Sequence, residues 1–415
     1  MCNMEEKQNL KIAYLAHEFP VFVEHYFRDD VEALRSRNYN VLIYACIKMK
    51  VTSLTPEWKT IVDETFYLDQ FRPALLIRTA WLSLKSLKRL KDIYLRLFIG
   101  GNEGFRRRLK GVLHTVMGIY FAVALKDQKV VHIHVHHGYL ASWVAMIASR
   151  LLGITFSMTL HGSDLLIDRV YLDLKLNNCS LCFTISNYNK GFLLQTFPTT
   201  DPKKVIVNYL GVEPLAGNIM ATEKRSLNGI FNILTVGRLE SVKNHEFLIR
   251  SCADLKQMGF KFKCLIIGDG KLRKSLESLI QMFDLCEEVI LLGFIDRQAL
   301  HSFYRQADLF VITSKSEGLP IVLMEAMLNG TIVLAPDING IPEIVINGRT
   351  GFLYKSGNKD EFISKIQFIH GQFESLNHIE KKARLHVLDK FNKQKNMDRF
   401  AELLRSHLHQ IHTLA

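Results

Sequence analysis

The residues best able to do chemistry lie in one stretch, Ser314 to Tyr354. The apolar run directly before it, Leu309 to Thr313, predicts a buried parallel strand, and the loop after this strand brings Glu317 to its carboxyl end. Pro320 favours the first position of a helix, so the amides around it would lack intrahelical acceptors. The sequence therefore predicts an anion site at this turn. The residues that would form it are Gly318, Leu319, Pro320, Ile321 and Val322.

A second acid and two cations would complete this pocket. Glu325 lies about one helical turn beyond the predicted start, so its carboxylate could border the same site as Glu317, although a solvated helix acid is the alternative. Arg238 and Lys243 follow another predicted strand and its turn residue, Gly237. A guanidinium fork and a compact ammonium can together neutralise a diphosphate. Amides can bind the phosphates of a ligand, and carboxylates can accept hydrogen bonds from its hydroxyls. The two together indicate a sugar-nucleotide ligand. Because the chain has no D-x-D triplet, we expect no metal and no other cofactor.

The motifs of both halves come in a fixed order along the chain. In the second half they are Gly237-Arg238-Leu239 with Lys243, Ile267-Gly268-Asp269-Gly270, Leu292-Gly293-Phe294, the segment from Glu317 to Glu325, and Gly340-Ile341-Pro342-Glu343. In the first half they are His17-Glu18-Phe19-Pro20, His132-Ile133-His134, His161-Gly162-Ser163-Asp164 and Thr184-Ile185-Ser186.

This succession resembles the retaining glycosyltransferases of family 4, which have the GT-B fold. The likeness is densest over roughly residues 205 to 385, the donor half. Among subgroups the chain most resembles the bacterial exopolysaccharide enzymes of the colanic-acid and amylovoran type. It departs from them after the first Phe-Pro, where Val23-Glu24-His25 stands in place of Ser-Glu-Thr.

The resemblance implies a role for each candidate residue. Glu317 would contact donor sugar hydroxyls, Glu325 the ribose hydroxyls, and His161 the donor near the reacting carbon, with a satisfied core histidine as the alternative for His161. We count four residues as catalytic candidates: His161, Glu317, Arg238 and Lys243. The donor-binding set is Gly237, Arg238, Lys243, Gly293, Phe294, Glu317, Gly318, Leu319, Pro320, Ile321, Val322 and Glu325. Acceptor-side candidates are His17, Glu18, Glu24, His136 and His137.

Length and periodicity predict the fold. The 415 residues suit two domains, and strands that alternate with helices predict an α/β protein with parallel sheets. With the resemblance, we expect GT-B architecture: two Rossmann-like, doubly wound domains that face a central cleft. Residues 1–207 would form the acceptor domain, with helix 396–415 packed back on it, and residues 208–395 the nucleotide-sugar domain. The predicted strands are Lys11 to Ala16, Tyr39 to Ala45, Val130 to His134, Phe156 to Leu160, Leu181 to Ile185, Ile233 to Val236, Lys263 to Ile267, Val289 to Leu292, Leu309 to Thr313 and Thr331 to Ala335.

Cysteines and hydropathy bear on location. Seven cysteines, an odd number, favour reduced thiols and a cytoplasmic protein. Cys179 and Cys182 form one C-x-x-C pair, for which a buried structural role or metal and redox chemistry are the alternatives. No run approaches the ~20 apolar residues of a membrane span, so we expect a protein that is neither exported nor integral.

The net charge of +12 is uneven, because Phe71 to Gly111 holds eleven Arg or Lys and two acids. A continuous helical projection places Ala80, Leu84, Leu87, Tyr94 and Phe98 on one apolar arc. The segment is either a helix packed on its own domain with a solvated basic face, or a surface that adsorbs to the anionic inner face of the cell membrane. We do not expect a nucleic-acid partner, because no reading motif is present.

These expectations define a reaction. A nucleotide-diphosphate hexose would bind the second domain, and a lipid-linked saccharide acceptor would bind the first. Retention by double displacement needs a carboxylate nucleophile, and the sequence offers a histidine, so we expect front-side attack. Two other classes stay open: a sugar-nucleotide epimerase or hydrolase of the same fold, and a non-catalytic scaffold that binds membrane or polysaccharide.

Overall fold

The computed structural model describes residues 10–21, 25–50, 56–100, 103–213 and 229–414. These residues divide into two compact units. The first unit takes the described residues up to Ile185, then Asn189–Asn208, and those from Met397 onwards. The second unit takes Ser186–Tyr188 and the described part of Tyr209–Asn396.

The first unit contains a seven-stranded parallel sheet with the strand order β3-β2-β1-β4-β5-β6-β7. Its central strand is buried along most of its length, as expected for a parallel strand covered on both faces. The strands are β1 Lys11–Phe19, β2 Asn40–Lys48, β3 Phe66–Tyr67, β4 His132–His136, β5 Thr155–Leu160, β6 Leu181–Thr184 and β7 Val205–Val207. The helices are α1 His25–Ser36, α2 Pro56–Glu64, α3 Pro73–Ser86, α4 Lys91–Phe98, α5 Phe105–Leu125, α6 Leu140–Leu152, α7 Leu172–Asn178 and α8 Asn187–Thr196.

The second unit contains a six-stranded parallel sheet with the order β10-β9-β8-β11-β12-β13. The strands are β8 Phe231–Val236, β9 Phe262–Ile267, β10 Val289–Gly293, β11 Leu309–Val311, β12 Ile332–Pro336 and β13 Phe352–Tyr354. The helices are α9 His245–Gln257, α10 Arg273–Met282, α11 Arg297–Gln306, α12 Ile321–Leu328, α13 Ile341–Ile344, α14 Lys359–Gly371 and α15 Asn377–Lys390.

The last helix, α16 (Lys393–Leu414), joins the first unit from residue 397. The ring of Phe400 lies 5.0 Å from that of His134 and 4.9 Å from that of Phe183. The Tyr39 hydroxyl donates a hydrogen bond to the Ala401 carbonyl at 3.0 Å. These contacts place α16 against the sheet of the first unit.

The predicted fold class is confirmed: both sheets are parallel and carry interleaved helices. Each predicted strand is present with its ends shifted by a few residues. The prediction missed β3, β7 and β13, which have only two or three residues and therefore show no periodicity.

Two expectations about the basic segment are wrong. The helical projection assumed one helix, but the chain turns over residues 87–90 and separates α3 from α4. The expectation that nothing approaches span length fails at α5, whose 21 residues are long and apolar enough to cross a membrane by length and composition. The sequence concealed this because Lys110 and His114 interrupt the apolar run. Half of the apolar window of α5 is buried inside the protein.

The crossing of α5 with α6 gives a stability prediction. A Cβ added at Gly118 would lie 2.6 Å from Ile147 Cβ and 3.2 Å from the Val144 carbonyl oxygen, so Gly118→Ala should destabilise by about 1–3 kcal/mol. Gly191 on α8 has open space around it, so Gly191→Ala should stabilise by up to about 1 kcal/mol. Urea unfolding of the two variants measures both changes, and equal midpoints would contradict the packing.

Candidate functional site

Each sheet has one point where its strand order reverses. In the second unit the chain builds β9 and β10 to one side of β8 and places β11 on the other; in the first unit β4 lies on the side of β1 opposite β2. Ligands of open α/β sheets bind outside the carboxyl ends of the strands at such points. The candidate residues of the two units are concentrated there.

The second unit brings Lys243 and Glu317 into direct contact. Lys243 Nζ lies 2.6 Å from Glu317 Oε1, and the Ser314 hydroxyl donates to the same oxygen at 2.6 Å. The carboxyl ends of β8 and β11 are tied together around this pair, because Lys315 N donates to the Val242 carbonyl at 2.8 Å. The two residues line one small pocket with Gly237, His245 and Val322, and its remaining lining comes from Thr235, Val236, Ile312, Thr313 and Ser314.

Helix α12 begins at this pocket, one residue later than predicted. Pro320 is the residue before the helix, with an extended conformation (φ −72°, ψ 110°), and Ile321 is the first helical residue. In the described part of the chain, no acceptor takes a hydrogen bond from the N–H of Ile321 or Val322. Of the predicted anion-binding residues, Val322 lines the pocket, and the binding of an anion there stays a prediction.

Glu325 is buried, so the solvated-acid alternative is wrong for it. Its Oε1 accepts from Arg297 Nε at 2.9 Å, and its Oε2 accepts from the Tyr304 hydroxyl at 3.0 Å. Burial and the adjacent Glu325 charge raise the pKa of Tyr304 well above its usual range, which keeps that hydroxyl a donor. A carboxylate has about four acceptor positions, so Glu325 retains capacity for a ligand hydroxyl.

Close backbone approaches shape the pocket. A Cβ at Gly340 would lie 2.1 Å from the Gly318 carbonyl oxygen, and one at Gly268 would lie 2.1 Å from the Gly237 carbonyl oxygen. Only glycine permits these approaches.

Two predicted donor-binding side chains are exposed. The side chain of Arg238 is 62% exposed and contacts Glu240 at 3.1 Å. Phe294, predicted to flank a nucleobase, is also exposed.

The first unit brings four of the five acceptor-side candidates to one pocket at the ends of β1 and β4. His17, Glu18, His136 and His137 line it together with aromatic and apolar side chains. Glu24 lies outside the described residues. The structure thus gathers the candidates from both strands at the predicted edge of the sheet.

His161 belongs to a histidine cluster behind this pocket. Its Nε2 lies 2.7 Å from His136 Nδ1, and its ring stacks on Tyr26 at 4.3 Å. The Tyr14 hydroxyl donates to Asp30 at 2.7 Å and lies 2.5 Å from His136 Nε2. Because the single Tyr14 proton is used on Asp30, the proton of His136 Nε2 is directed at two acceptors, the Tyr14 oxygen and Asp30 Oδ2, which lies 3.0 Å away. The Nε2 of His161 thus has a hydrogen-bond partner, His136 Nδ1, within the first unit. Such a partner is what the core-histidine alternative for His161 requires.

Asp164 holds the loop that carries His161. It is fully buried and accepts from the backbone N–H groups of Gly138 (2.9 Å), His161 (3.1 Å) and Gly162 (2.8 Å). Burial alone would raise the pKa of Asp164, but hydrogen bonds from His137 and the backbone lower it on balance. A buried carboxylate therefore fixes the ends of β4 and β5 relative to each other.

His161 is neutral near pH 7. Burial, followed by the repulsion of neighbouring His137 and His136, lowers the pKa of His161 well below its usual value. A neutral imidazole can position a hydroxyl or accept its proton, but it does not supply a positive charge to a phosphate. Positive charge for an anionic ligand must come from elsewhere.

Sequence reasoning missed several residues of these sites. Arg297 and Tyr304 lie 28 and 21 positions from Glu325, and their spacing of seven on one face of α11 was the available signal. His245, directly after Lys243-Asn244, lines the donor-side pocket, and its Nδ1 has no hydrogen-bond partner within the described residues. Asp164 was visible only as part of His-Gly-Ser-Asp.

The C-x-x-C pair has a structural environment. Cys179 and Cys182 are both buried, and burial raises the pKa of the Cys179 thiol to about 12. Over the residues that the structure describes, no group of three or more His, Cys, Asp or Glu side chains is arranged to hold a metal ion.

Comparison with known proteins identifies the class to which this fold and pocket belong. Residues 223–386 match the family described as Glycosyl transferases group 1. The chain is similar to an uncharacterized glycosyltransferase of Methanocaldococcus jannaschii, with 28% identity over 300 residues, 68% of this chain and 81% of that protein.

Two further relatives have more specific names. The amylovoran biosynthesis glycosyltransferase AmsK of Erwinia amylovora is 30% identical over 208 residues, 49% of this chain and 51% of that protein. The N-acetylgalactosamine-N,N'-diacetylbacillosaminyl-diphospho-undecaprenol 4-alpha-N-acetylgalactosaminyltransferase of Campylobacter jejuni is 30% identical over 203 residues, 49% of this chain and 54% of that protein. The chain thus spans about half the length of these two.

Solved structures share the fold at low identity. Sucrose-phosphate synthase of Thermosynechococcus elongatus superposes with a TM-score of 0.73 at 19% identity, over 98% of this chain and 100% of that chain. HepE of Anabaena in complex with UDP-glucose superposes with a TM-score of 0.68 at 19% identity, over 96% of this chain and 100% of that chain. The two sheets therefore have the GT-B fold. The family match covers residues 223–386, and the predicted resemblance to the family 4 glycosyltransferases is confirmed.

Buried neutral histidines predict acid sensitivity. Burial lowers the pKa of His132 to about 3 and that of His245 to about 4. The unfolded chain protonates these rings near pH 6.5 and the folded chain does not, so stability present above pH 6.5 is lost as the pH falls towards 4. At pH 5 each histidine should have removed about 2 kcal/mol from the free energy of unfolding. Urea midpoints measured from pH 7 to pH 5 check this, and a flat profile would contradict it.

Proposed function

We propose that this chain is a retaining glycosyltransferase that moves a hexose from a nucleoside-diphosphate sugar to a lipid-linked saccharide in cell-surface polysaccharide synthesis. The observation that carries the proposal is the pocket at the β8–β11 switch point, where Lys243, Glu317 and the start of α12 meet. The names of AmsK and of the Campylobacter enzyme support a polysaccharide or lipid-diphosphate acceptor. The HepE complex supports a uridine nucleotide as donor.

In the proposed donor complex, Lys243 becomes available to a diphosphate once Glu317 leaves it. A phosphate oxygen that replaced Glu317 on Lys243 Nζ would meet the first amides of α12 at the same place. Glu317, released from Lys243, would accept hydrogen bonds from sugar hydroxyls. The exposed Arg238–Glu240 pair is of the kind that contributes little energy, so Arg238 can turn towards the second phosphate.

Two side-chain cations and a helix start make a metal ion unnecessary in the proposed reaction. They would neutralise the nucleoside diphosphate as the bond from its oxygen to the anomeric carbon breaks. The donor-binding role of Arg238, Lys243, Glu317 and Glu325 remains our proposal, as does the independence from metal.

Retention would follow from attack on the face that the diphosphate leaves. In the first unit, Asp164 is fully buried and bonded to three backbone N–H groups, and Asp30 is engaged by Tyr14 and His136. Neither is free to act as a covalent nucleophile. In the proposed reaction the acceptor hydroxyl forms the new C–O bond itself, and its proton passes to the departing phosphate oxygen.

Binding of free nucleotide tests the donor pocket. Charge-assisted hydrogen bonds contribute about 1.5–3 kcal/mol, so Arg238→Ala should weaken UDP or GDP binding roughly 10- to 150-fold in calorimetry. Arg250, which pairs with Glu246 at 2.9 Å on the surface of the same unit, offers a matched control, and Arg250→Ala should bind like the wild type. Equal affinity of the Arg238 variant and the wild type would remove the pocket assignment.

Product analysis tests the reaction. We expect transfer from a uridine- or guanosine-diphosphate hexose to a lipid-pyrophosphate saccharide, with the donor's anomeric configuration kept in the product by NMR and with no loss of rate in EDTA. Glu317→Gln should abolish transfer while thermal unfolding stays cooperative. Rapid turnover of donor without acceptor would instead indicate a hydrolase or an epimerase.

A further inference from the structure

The first unit carries an unusual concentration of exposed apolar side chains. Of the twenty-five large hydrophobic residues that are exposed in the described part of the chain, thirteen lie between Phe71 and Val116. They are Phe71, Leu76, Ile77, Trp81, Leu84, Leu87, Leu95, Phe98, Ile99, Phe105, Leu109, Leu113 and Val116. We call this surface of α3, α4 and α5 the apolar face. Contiguous patches of this kind mark interaction sites.

Each helix of the apolar face is apolar on the side that points away from the protein. On α3, Thr79 and Ser86 are buried, whereas Ile77, Trp81 and Leu84, spaced by four and three residues, are all more than half exposed. A helix of a soluble domain normally presents polar residues outward. The outer side of α3 is therefore strongly apolar, while Leu75 and Leu82 on its inner side pack against the core.

The same pattern is present on α5. Gly111 and Thr115 face the protein, whereas Phe105, Leu109 and Leu113 form an exposed stripe at a spacing of four. The stripe occupies the amino-terminal half of α5, and the carboxyl-terminal half is buried. An open groove of about 470 Å³ joins the end of α3 to α4. Its lining is Ser83, Leu84, Leu87, Lys91, Tyr94, Leu95, Phe98 and Ile99.

Cations without partners surround the apolar face. Lys88, Lys91, Arg106 and Lys110 have no acidic partner among the residues that the structure describes. Lys85 packs over the ring of Trp81, with its Nζ 3.7 Å from the ring centre. Segment 71–111 as a whole carries eleven Arg or Lys against two acids. A partner for this surface must offer apolar groups and negative charge together.

We propose that the apolar face docks the protein on an anionic lipid bilayer. Trp, Phe and Leu would enter the boundary between headgroups and acyl chains, and the unpaired cations would meet lipid phosphates. A second copy of this chain fits less well, because lysine is depleted in protein–protein interfaces and two copies would bring like charges together. The face lies on the surface and half of α5 is buried in the first unit, so the protein docks without spanning the bilayer.

Vesicle binding of the full chain tests the docking without donor or acceptor, so its outcome is separate from that of the proposed transfer. Trp81 supplies the readout, because Trp58 and Trp143 are buried. We expect a blue shift of Trp81 emission and flotation with phosphatidylcholine vesicles that contain about one third phosphatidylglycerol, and much weaker binding to phosphatidylcholine alone. No binding to the anionic vesicles, or equal binding to both, would overturn the proposal.

Paired variants separate the contribution of the basic residues to vesicle binding from that of the apolar side chains. Lys88→Gln with Lys91→Gln should weaken binding about thirty-fold, because each basic residue near an anionic surface contributes ~1 kcal/mol. The exposed pair Lys381 and Lys382 on α15 is the matched control, and the same change there should leave binding unaltered. Added salt should also weaken the binding of the wild type to anionic vesicles.

Leu84→Glu should weaken vesicle binding at least tenfold, since it removes the transfer of a leucine side chain and adds a repelled charge. Leu385→Glu, at an equally exposed leucine of the second unit, should have no effect. Both sites are exposed, so circular dichroism should show folded variants. If Leu84→Glu instead converts a dimer into a monomer in sedimentation while the wild type ignores vesicles, the face belongs to a second copy and the proposal is wrong.

Discussion

The constraint on which both candidate sites depend is the reversal of strand order in each parallel sheet. A sheet that grows first to one side and then to the other leaves an open crevice beyond the carboxyl ends of the two strands at the reversal. β1 and β4 flank that point in the first unit, and β8 and β11 in the second. His17, His136, Lys243 and Glu317 all follow or end these strands, so topology alone accounts for their convergence.

The two crevices differ in how their titratable side chains are stabilised: by an ion pair in the second unit and by burial in the neutral form in the first. In the second unit, Lys243 and Glu317 are partly buried and neutralise each other. A phosphate bound as proposed would compete with that pair and would release the carboxylate for another partner. In the first unit, burial keeps His161 neutral, and the one fully buried acid, Asp164, is committed to backbone N–H groups. Of the two crevices, only the one in the second unit therefore holds a cationic side chain, Lys243, among the candidate residues that the structure describes.

Sequence patterns predicted whatever depends on local repetition. Strands of four or more residues, the turn glycines and the start of α12 were all visible. Contacts between distant segments were not: Arg297 reaches Glu325 across 28 positions, and His136 meets Tyr14 across 122. The break between α3 and α4 was also hidden, because residues 87–90 contain no glycine or proline. There the full burial of Leu90 shows that packing, not local propensity, sets the turn.

The apolar face is hard to explain as a requirement of folding. A crossover between parallel strands needs only a dozen or more residues, yet more than sixty separate β3 from β4. Helix α5 fills part of that length by burying its carboxyl-terminal half in the core. Helix α3 contributes less, since only Leu75 and Leu82 of its large apolar side chains pack against the core, whereas Ile77, Trp81 and Leu84 are exposed. A helix that leaves its hydrophobic surface in water gains little stability from it, so the value of that surface must lie in what it binds.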